Sequence, residues 1–367
     1  MKMFKAMRTL DKVLHGCLWA SNAAAFVIMA TALGGCSMID EDLSDCGKEA
    51  KMDYELELIT NLSIELETVL DDDLDKDVAE ALREYLKNIF TDHAHDVDLS
   101  FYDSQADSSR LHHEQAIMDA NQRSYTLYLP MREYMHLAVA NLVDNRMVSL
   151  TDDNYCHPSK LQQAQGDTIT PHTTGLFTAR QPIEVLDGVD QTFLVRLYMA
   201  NCAAALVVDT QGYDVNGMKV IGSGFASRFS ICDSAYVFDA GTPVVKADEI
   251  VVKGGRQKCF CSVNFPSREP DRTRTVIETE EPFIAQADEA SLWEFHVYVP
   301  RPESALSRSG SSITETVLRL NTPLRAGQLK IVKCKLLADG SVVTDMPEVG
   351  VSVTLDWKPD GEYHPNI

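Results

Sequence analysis

The sequence predicts a mainly β protein of β-sandwich architecture with a single helix. Three observations carry this prediction. Short segments with a hydrophobic residue at every second position recur through the chain, turn sequences such as Lys253-Gly254-Gly255 and Ala338-Asp339-Gly340 separate them, and one segment alone has helical periodicity. Many short strands divided by such turns are typical of sandwiches.

The first half of the chain contains four predicted strands. In DYELELIT, Tyr54, Leu56 and Leu58 alternate with acidic residues, so one face meets a core and the other meets water. The later segments DVDLSFYD, YTLYLP and YMHLAVANL follow the same pattern. Residues 151–175 are polar with little apolar pattern and predict a long exposed loop.

The predicted helix lies in DDDLDKDVAEALREYLKNIF, where Val78, Leu82, Leu86 and Ile89 form one apolar stripe. Acidic residues at its start favour the helix dipole. They also alternate like the first ligands of an EF-hand loop, but Lys76 and Leu82 replace the glycine and the glutamate that such a loop needs. We therefore expect no calcium site here.

The second half continues as strands after the turn signal Asp187-Gly188, where we place a domain boundary. The predicted domains are residues 36–188 and 189–367, each a sandwich, with the helix in the first. Among these strands, CFCSVNF puts Cys259, Cys261, Val263 and Phe265 on one face, which indicates buried small residues rather than a metal or redox pair.

The N-terminus reads as an export signal, residues 1–35. A basic start precedes the apolar run 23–33, which is shorter than the ~20 residues a spanning helix needs. Leu33, Gly34, Gly35 and Cys36 resemble a bacterial lipobox, in which cleavage between Gly35 and Cys36 leaves a lipidated cysteine. The covalent lipid on Cys36 would then anchor the chain.

Three acidic residues, Asp40, Glu41 and Asp42, follow Cys36 closely. In Bacteroidetes-type bacteria, acids at this position resemble a signal that sends lipoproteins to the outer face of the outer membrane. A plain charged tether is the alternative reading.

The net negative charge of the chain limits the molecules that it can bind. Without residues 1–35 the formal charge is −25, from 29 basic and 54 acidic residues. Such a surface repels nucleic acid and anionic lipid headgroups, so we expect no nucleic-acid partner.

No motif for catalysis stands out after the signal. The Gly-x-Ser-x-Gly elbow and the Ser-x-x-Lys pair are both missing, and GSGF at 222–225 reads as a turn because it lacks the phosphate-loop lysine. The histidines of HAHD (His93, His95) and the pair His112-His113 lack zinc-type ligand spacing. We expect no enzyme activity, no metal and no cofactor besides the lipid. The sequence does leave open that two of its many acidic residues lie at the separation that glycosidases use.

Taken together, the lipobox, CSMIDEDLSDCG, YELELITNL, the acidic helix and the closing VSVTLDW resemble the FimB/Mfa2 family of fimbrial anchor subunits. The match is most specific at Asp42, Leu43, Ser44 and Cys46. The resemblance implies two transthyretin-like β-sandwich domains and a lipid at Cys36. It also implies a place at the base of a Bacteroidales-type fimbrium, where the subunit holds the filament on the outer membrane and helps limit its length.

The resemblance implies a fimbrial stalk or accessory pilin as partner, bound by β-strand complementation. Strand addition at an open sheet edge supplies main-chain hydrogen bonds, and alternate side-chain pockets supply specificity. Whether this chain accepts or donates the strand stays open. Seven cysteines besides Cys17 and Cys36 leave at least one unpaired within the chain, and Cys156 is a candidate partner for Cys46.

The alternative function is a surface lipoprotein that binds glycan or host matrix. Such proteins commonly present aromatic side chains along one face, because ring faces pack against the apolar faces of sugars. Only Trp293 and Trp357 follow the signal, each predicted on an inward face, although tyrosines could substitute.

Overall fold

In the computed structural model of the chain, the described residues are 49–59, 70, 74–91, 93–105, 108–117, 124–166, 168–187, 189–238, 243–269, 292–300 and 313–357. Contacts separate the chain up to Glu49 from one unit, Ala50–Ile367, and the fold is that of this unit. The predicted signal and the residues Gly35, Cys36, Asp40, Glu41, Asp42, Leu43, Ser44 and Cys46 lie outside the described residues.

The described elements are one helix and 21 strands, which confirms the prediction of a mainly β protein. They are, in chain order, β1 Glu49–Ile59, α1 Lys76–Leu86, β2 Asp96–Asp103, β3 Arg110–Ile117, β4 Ser124–Pro130, β5 Glu133–Ala140, β6 Val148–Thr151, β7 Lys160–Gln163, β8 Phe177–Glu184, β9 Gln191–Met199, β10 Cys202–Asp209, β11 Lys219–Ser223, β12 Arg228–Ser230, β13 Ala235–Val237, β14 Val245–Lys246, β15 Asp248–Ile250, β16 Gln257–Asn264, β17 Trp293–Pro300, β18 Ile313–Leu320, β19 Leu329–Leu336, β20 Val342–Val343 and β21 Val349–Trp357. No helix among the described residues is long and apolar enough to cross a membrane.

Seven strands form the first sheet in the order β3-β2-β5-β8-β9-β1-β4. Apolar side chains of β1, β4 and β9 pack in one cluster with those of β2, β5 and β8. Tyr54 of β1 and His136 of β5 are in direct contact, with Oη 2.5 Å from Nε2, although β8 and β9 lie between these two strands in the sheet. Strands three positions apart in a flat sheet would be roughly 14 Å apart, since neighbouring strands are about 4.8 Å apart. The sheet therefore folds over itself and makes the first sandwich.

Two five-stranded sheets make the second sandwich, in the orders β15-β16-β10-β19-β20 and β14-β11-β17-β18-β21. One cluster of buried side chains joins them, with Leu206 and Val332 from one sheet against Phe295 and Leu318 from the other. The predicted series of strands in the second half thus packs as a sandwich.

The helix α1 follows β1 in the chain but packs on the second sandwich. Its predicted stripe is confirmed, since Val78, Leu82, Leu86 and Ile89 are all buried. This stripe lies against small side chains of β10 and β16, namely Ala203, Ala205, Cys259, Cys261 and Val263. Both cysteines are fully buried, which confirms the prediction that they act as small core residues.

A further sheet, which we call the joining sheet, has the order β13-β12-β7-β6 and takes strands from both halves of the chain. It includes β7, so the prediction of a long exposed loop over residues 151–175 is wrong. His172 and Thr174 are buried there, and Thr174 Oγ1 donates a hydrogen bond of 2.6 Å to the Asn141 carbonyl. Hydrogen bonds of this kind let a polar segment be buried.

The change from one sandwich to the other occurs between β9 and β10. β9 pairs in parallel with β1, from Met52↔Gln191 to Ile59↔Tyr198, whereas β10 belongs to the second sandwich. The domain boundary near residue 188 and the transthyretin-like topology stay predictions.

Candidate strand-pairing site

The outer edge of β21 is the candidate site, because β21 ends its sheet. It pairs antiparallel with β18, from Ile313↔Trp357 to Leu320↔Val349. No described strand lies on its other side. Within the described part of the chain, the main-chain groups of that side thus form a sheet edge of the kind to which a further strand can add.

Two valines of β21 point to the core side of the sheet and are nevertheless exposed. Directly paired residues of an antiparallel ladder point to the same side. Val351 pairs with Leu318 and Val353 with Thr316, and both β18 residues are fully buried. Val351 and Val353 keep exposures of 40% and 42%. The core face of the second sandwich is thus uncovered along β21.

The facing sheet contributes little cover at this side. Its last strand, β20, has only two residues, Val342 and Val343. The Val342 amide donates to Thr316 Oγ1 at 3.2 Å, which places β20 across from the middle of β18. A strand added beside β21 would extend one sheet and cover the two valines.

The first sandwich has no equivalent opening at the position of its first strand. β1 lies between β9 and β4 and inserts Met52, Tyr54 and Leu56 into the core, each 6% exposed or less. The chain's own β1 therefore fills the place that an incoming strand could occupy.

A cleft separates β8 from β9, with a volume of about 370 Å³. The two strands pair only at Phe177↔Met199 and Thr178↔Tyr198. Beyond the cleft, Gln191 closes the other end, because its side chain donates to the Glu184 carbonyl at 3.1 Å. Because both ends of the cleft are closed, an added strand could not lie between β8 and β9 along their whole length.

The lining of this cleft includes two arginines, Arg180 and Arg196. Arg196 Nε is 2.8 Å from Glu57 Oε2, and the hydrogen bond to Glu57 raises the pKa of Arg196. One of the two guanidinium groups is thus engaged by a carboxylate of β1.

Three of the four histidines singled out in the sequence, His95, His112 and His113, each have a carboxylate partner of their own. Nε2 of His112 is 2.9 Å from Glu114, and Nε2 of His113 is 2.9 Å from Asp98. His95 lies 3.5 Å from Asp144. These pairs are separate, so they do not gather ligands around one point.

Sequence reasoning missed the group His157, Cys232 and Asp233, whose ligand atoms lie within 4.8 Å of one another. In the described part of the chain, it is the one group of three or more such residues close enough to hold a metal ion. Cys156 adjoins it, with its Sγ 2.8 Å from Cys232 Sγ. The sequence offered one sign of this group, since Cys156-His157 and Cys232-Asp233 are each adjacent pairs of possible metal ligands. The two pairs are 76 residues apart, so the sequence does not show that they meet.

Exposed aromatic side chains are scattered. Trp293 is buried, and its Nε1 donates to the Thr322 carbonyl at 3.0 Å. The exposed tyrosines Tyr128, Tyr155 and Tyr213 lie on β4, after β6 and after β10. The described residues therefore show no aromatic face of the kind that the glycan-binding alternative needs.

No family model matches the sequence, and no curated protein matches it either. Among solved structures, the chain is similar to a candidate adhesin from Bacteroides ovatus, with 11% identity, a TM-score of 0.47, and coverage of 84% of this chain and 96% of that one. It is similar to the fimbrial anchor protein Mfa2 from Porphyromonas gingivalis, with 12% identity, a TM-score of 0.44, and coverage of 84% and 98%. It is also similar to the tip fimbrial protein Mfa3 from Porphyromonas gingivalis, truncated at its C-terminus, with 11% identity, a TM-score of 0.38, and coverage of 84% and 100%.

Proposed function

We propose that this protein is a non-enzymatic, lipid-anchored subunit of a surface fimbrium. Its lipid at Cys36 would fix it in the outer membrane, and its second sandwich would bind a stalk or accessory pilin by β-strand complementation. In this position it would hold the filament on the cell and help limit the filament's length.

The observation that carries the proposal is the uncovered core face along β21. Val351 and Val353 point to the core side and are still about 40% exposed. An added strand gains main-chain hydrogen bonds, each worth about 0.5–1.5 kcal/mol net. Alternate side chains of the donor would cover the two valines, and complete burial of a valine side chain is worth about 1.5–3 kcal/mol. The edge therefore suits a partner that supplies an extended, apolar strand.

The charge of the chain supports anchoring by lipid. A surface of −25 without residues 1–35 has no electrostatic attraction to anionic headgroups. One acyl chain binds a membrane only marginally, whereas several chains make a lasting anchor. The lipobox at Leu33, Gly34, Gly35 and Cys36 would provide that anchor, and the acids Asp40, Glu41 and Asp42 would direct it to the outer face.

The experiment that tests strand pairing replaces both exposed valines, Val351→Asp with Val353→Asp, in the chromosomal copy. Filament protein is then measured in the culture supernatant and on washed cells. We expect filaments to be shed, because a carboxylate cannot be buried under the incoming strand without a large cost. The control is Val251→Asp, at a valine that is 90% exposed and lies outside β21, and it should retain filaments.

A second arm tests the lipid through Cys36→Ala and a deletion of the gene. Shed or overlong filaments in the deletion, and shed filaments in Cys36→Ala, would support an anchor that acts through its lipid. Filaments that stay attached with normal length in both strains would overturn the proposal. The glycan-binding or matrix-binding lipoprotein would then be the function to test.

A further inference from the structure

Cys156 and Cys232 are a buried pair of thiols at the end of the joining sheet. Their Sγ atoms are 2.8 Å apart, and the two residues are 2% and 3% exposed. A disulfide requires about 2.05 Å between the sulfurs. Two cysteines bound to one tetrahedral zinc at about 2.3 Å each would have sulfurs roughly 3.8 Å apart. The observed separation is closer to the bonded distance than to that of a zinc pair.

The backbone holds both residues in place. The Cys156 amide donates to the Ser108 carbonyl at 2.9 Å, and the Ser159 amide donates back to the Cys156 carbonyl at 3.2 Å. On the other side, the Ile231 amide donates to the Ser159 carbonyl at 3.1 Å and continues the β7–β12 ladder. The two cysteines therefore face each other where that ladder ends.

The joining sheet packs through Leu161 and Phe229 in a buried cluster that also contains Leu137 of β5, but its own strands are short. Its strands have only three or four residues each. Strand pairs of this length are marginal without further support. A covalent link between residues 76 positions apart would secure the contact between the two halves of the chain at this sheet.

We propose that Cys156 and Cys232 form a disulfide bond in the exported protein and that this bond staples the joining sheet. The inference rests on the export step of the proposed function, because disulfides form and persist in oxidising compartments. It does not depend on the lipid or on the filament. Other described cysteines differ: Cys202 and Cys334 are buried near backbone carbonyls, and burial raises their pKa values.

The reaction is an exchange with an external disulfide, either a low-molecular-mass disulfide or that of a thiol oxidoreductase. The thiolate of Cys232 attacks one sulfur of the oxidant, and the first oxidant thiol leaves. Cys156, after loss of its proton, attacks the sulfur of Cys232 in the mixed disulfide, and the second oxidant thiol leaves. Two protein thiols lose two electrons, one S–S bond forms, and the two protons end on the two released thiols.

The surroundings suit Cys232 as the attacking group. A hydrogen bond donated by the Cys156 thiol, together with nearby His157 and Arg180, lowers the pKa of Cys232 despite its burial. His157 Nδ1 is 3.6 Å from Cys232 Sγ. A thiolate fraction at neutral pH favours exchange.

The test uses the full chain extracted from its own cells under denaturing conditions, with a chelator and an alkylating reagent but no reductant. Trypsin releases residues 147–160, with Cys156 as the sole cysteine, and residues 229–246, with Cys232 as the sole cysteine. We expect these two peptides as one linked species in the mass spectrum, and reductant should separate them. Two alkylated peptides, whether their thiols had been free or bound to zinc, would overturn the proposal, as would a link to another cysteine.

A second measurement tests the stapling. Reductant should lower the thermal midpoint of the purified protein by roughly 5–10 °C, since the bond closes a long loop. The double variant Cys156→Ala with Cys232→Ala should melt at one temperature with and without reductant. Equal midpoints for the wild type in both conditions would overturn the stapling role.

The same cells separate this inference from the proposed function. Filament loss from Val351→Asp, Val353→Asp and Cys36→Ala is scored independently of the linked peptides. Linked peptides with filaments retained in all variants would overturn the anchor alone, whereas alkylated peptides with filaments shed would overturn the disulfide alone.

Discussion

Tyr54 on β1 and His136 on β5 meet across the core of the first sandwich, with Tyr54 Oη 2.5 Å from His136 Nε2. His136 Nδ1 lies 3.0 Å from the Ser100 carbonyl, which can only accept a hydrogen bond. Nδ1 therefore carries the proton, and Nε2 accepts from the tyrosine hydroxyl. Burial lowers the pKa of His136 to about 4, so the ring is neutral at pH 7. This bond ties the two layers of the folded sheet together.

Tyr54→Phe should lower the free energy of unfolding by about 1–3 kcal/mol. The substitution removes only the hydroxyl and leaves a buried nitrogen acceptor without its donor. Urea unfolding at pH 7 measures the change. Tyr128→Phe on the adjacent strand β4 is the control, because Tyr128 is 54% exposed and its change should stay within about 0.5 kcal/mol. Equal stabilities for the two variants would contradict the inferred bond.

His172→Leu should raise the free energy of unfolding by about 1 kcal/mol or more at pH 7. Both ring nitrogens of His172 are buried without a hydrogen-bond partner among the described residues. An unsatisfied buried polar group is costly, and an apolar side chain of similar size removes that cost. The backbone bond from the His172 amide to the Val263 carbonyl, 2.9 Å, does not depend on the side chain. Urea unfolding of the variant checks this, and a loss of stability would show that the ring is required.

The same residue predicts a pH dependence. Burial lowers the pKa of His172 to about 3, whereas the unfolded chain has the ordinary value near 6.5. As the pH falls below 6.5, the unfolded state binds the proton first, so stability is lost progressively until the pH reaches the folded value. The slope is about 1.4 kcal/mol per pH unit for one group. Between pH 6 and 4, His172→Leu should therefore lose stability less steeply than the wild type, by about that amount per unit.

The helix α1 shows how much of the fold hydrophobic periodicity can predict. Its apolar stripe predicts both its existence and its buried face, since positions 78, 82 and 86 are all buried. Periodicity does not predict which surface of the protein the apolar stripe packs against. The signal for that surface lies in β10, CAAALVVD, whose seven consecutive buried residues need cover on both faces of their sheet. Small residues at Ala203 and Ala205 leave room for the helix.

Leu82→Ala should therefore destabilise the protein by about 2–5 kcal/mol, the usual cost of deleting a fully buried leucine side chain. Urea unfolding followed by circular dichroism measures the loss. Glu80→Ala on the exposed face of the same helix is the control. It removes only a surface pair with Lys253 at 3.4 Å, and such pairs contribute about 0–1 kcal/mol. A cost for Leu82→Ala as small as that of the control would contradict the packing on the second sandwich.

Neither the exposed edge of β21 nor the joining sheet could be predicted from the sequence, and the reasons differ. The alternation in VSVTLDW predicts a strand with Val351 and Val353 on its core side, but exposure depends on whether another strand lies beside β21. The strands of the joining sheet are too short to carry a periodic signal. The pair Cys156 and Cys232 depends on that sheet, so its proximity is set by tertiary structure alone.

The prediction that GSGF is a turn is wrong for its first two residues, since Gly222 and Ser223 end β11 and pair with β17. Gly224, which follows them, supplies a final prediction, because it shares a left-handed backbone with Gly212 but differs from it in its surroundings. Gly224 has φ of +91°, and a Cβ there would lie 2.6 Å from the Leu292 carbonyl oxygen and 2.7 Å from Trp293 Cα. Gly212 has φ of +83°, and nothing lies within 4 Å of its Cβ position. Gly212→Ala should cost about 1–2 kcal/mol for the backbone conformation alone. Gly224→Ala should cost about 1–3 kcal/mol more, since backbone atoms of the segment that begins β17 must move. Urea unfolding of the two variants side by side measures the difference, and equal losses would mean that the backbone around Gly224 and Trp293 can separate without cost.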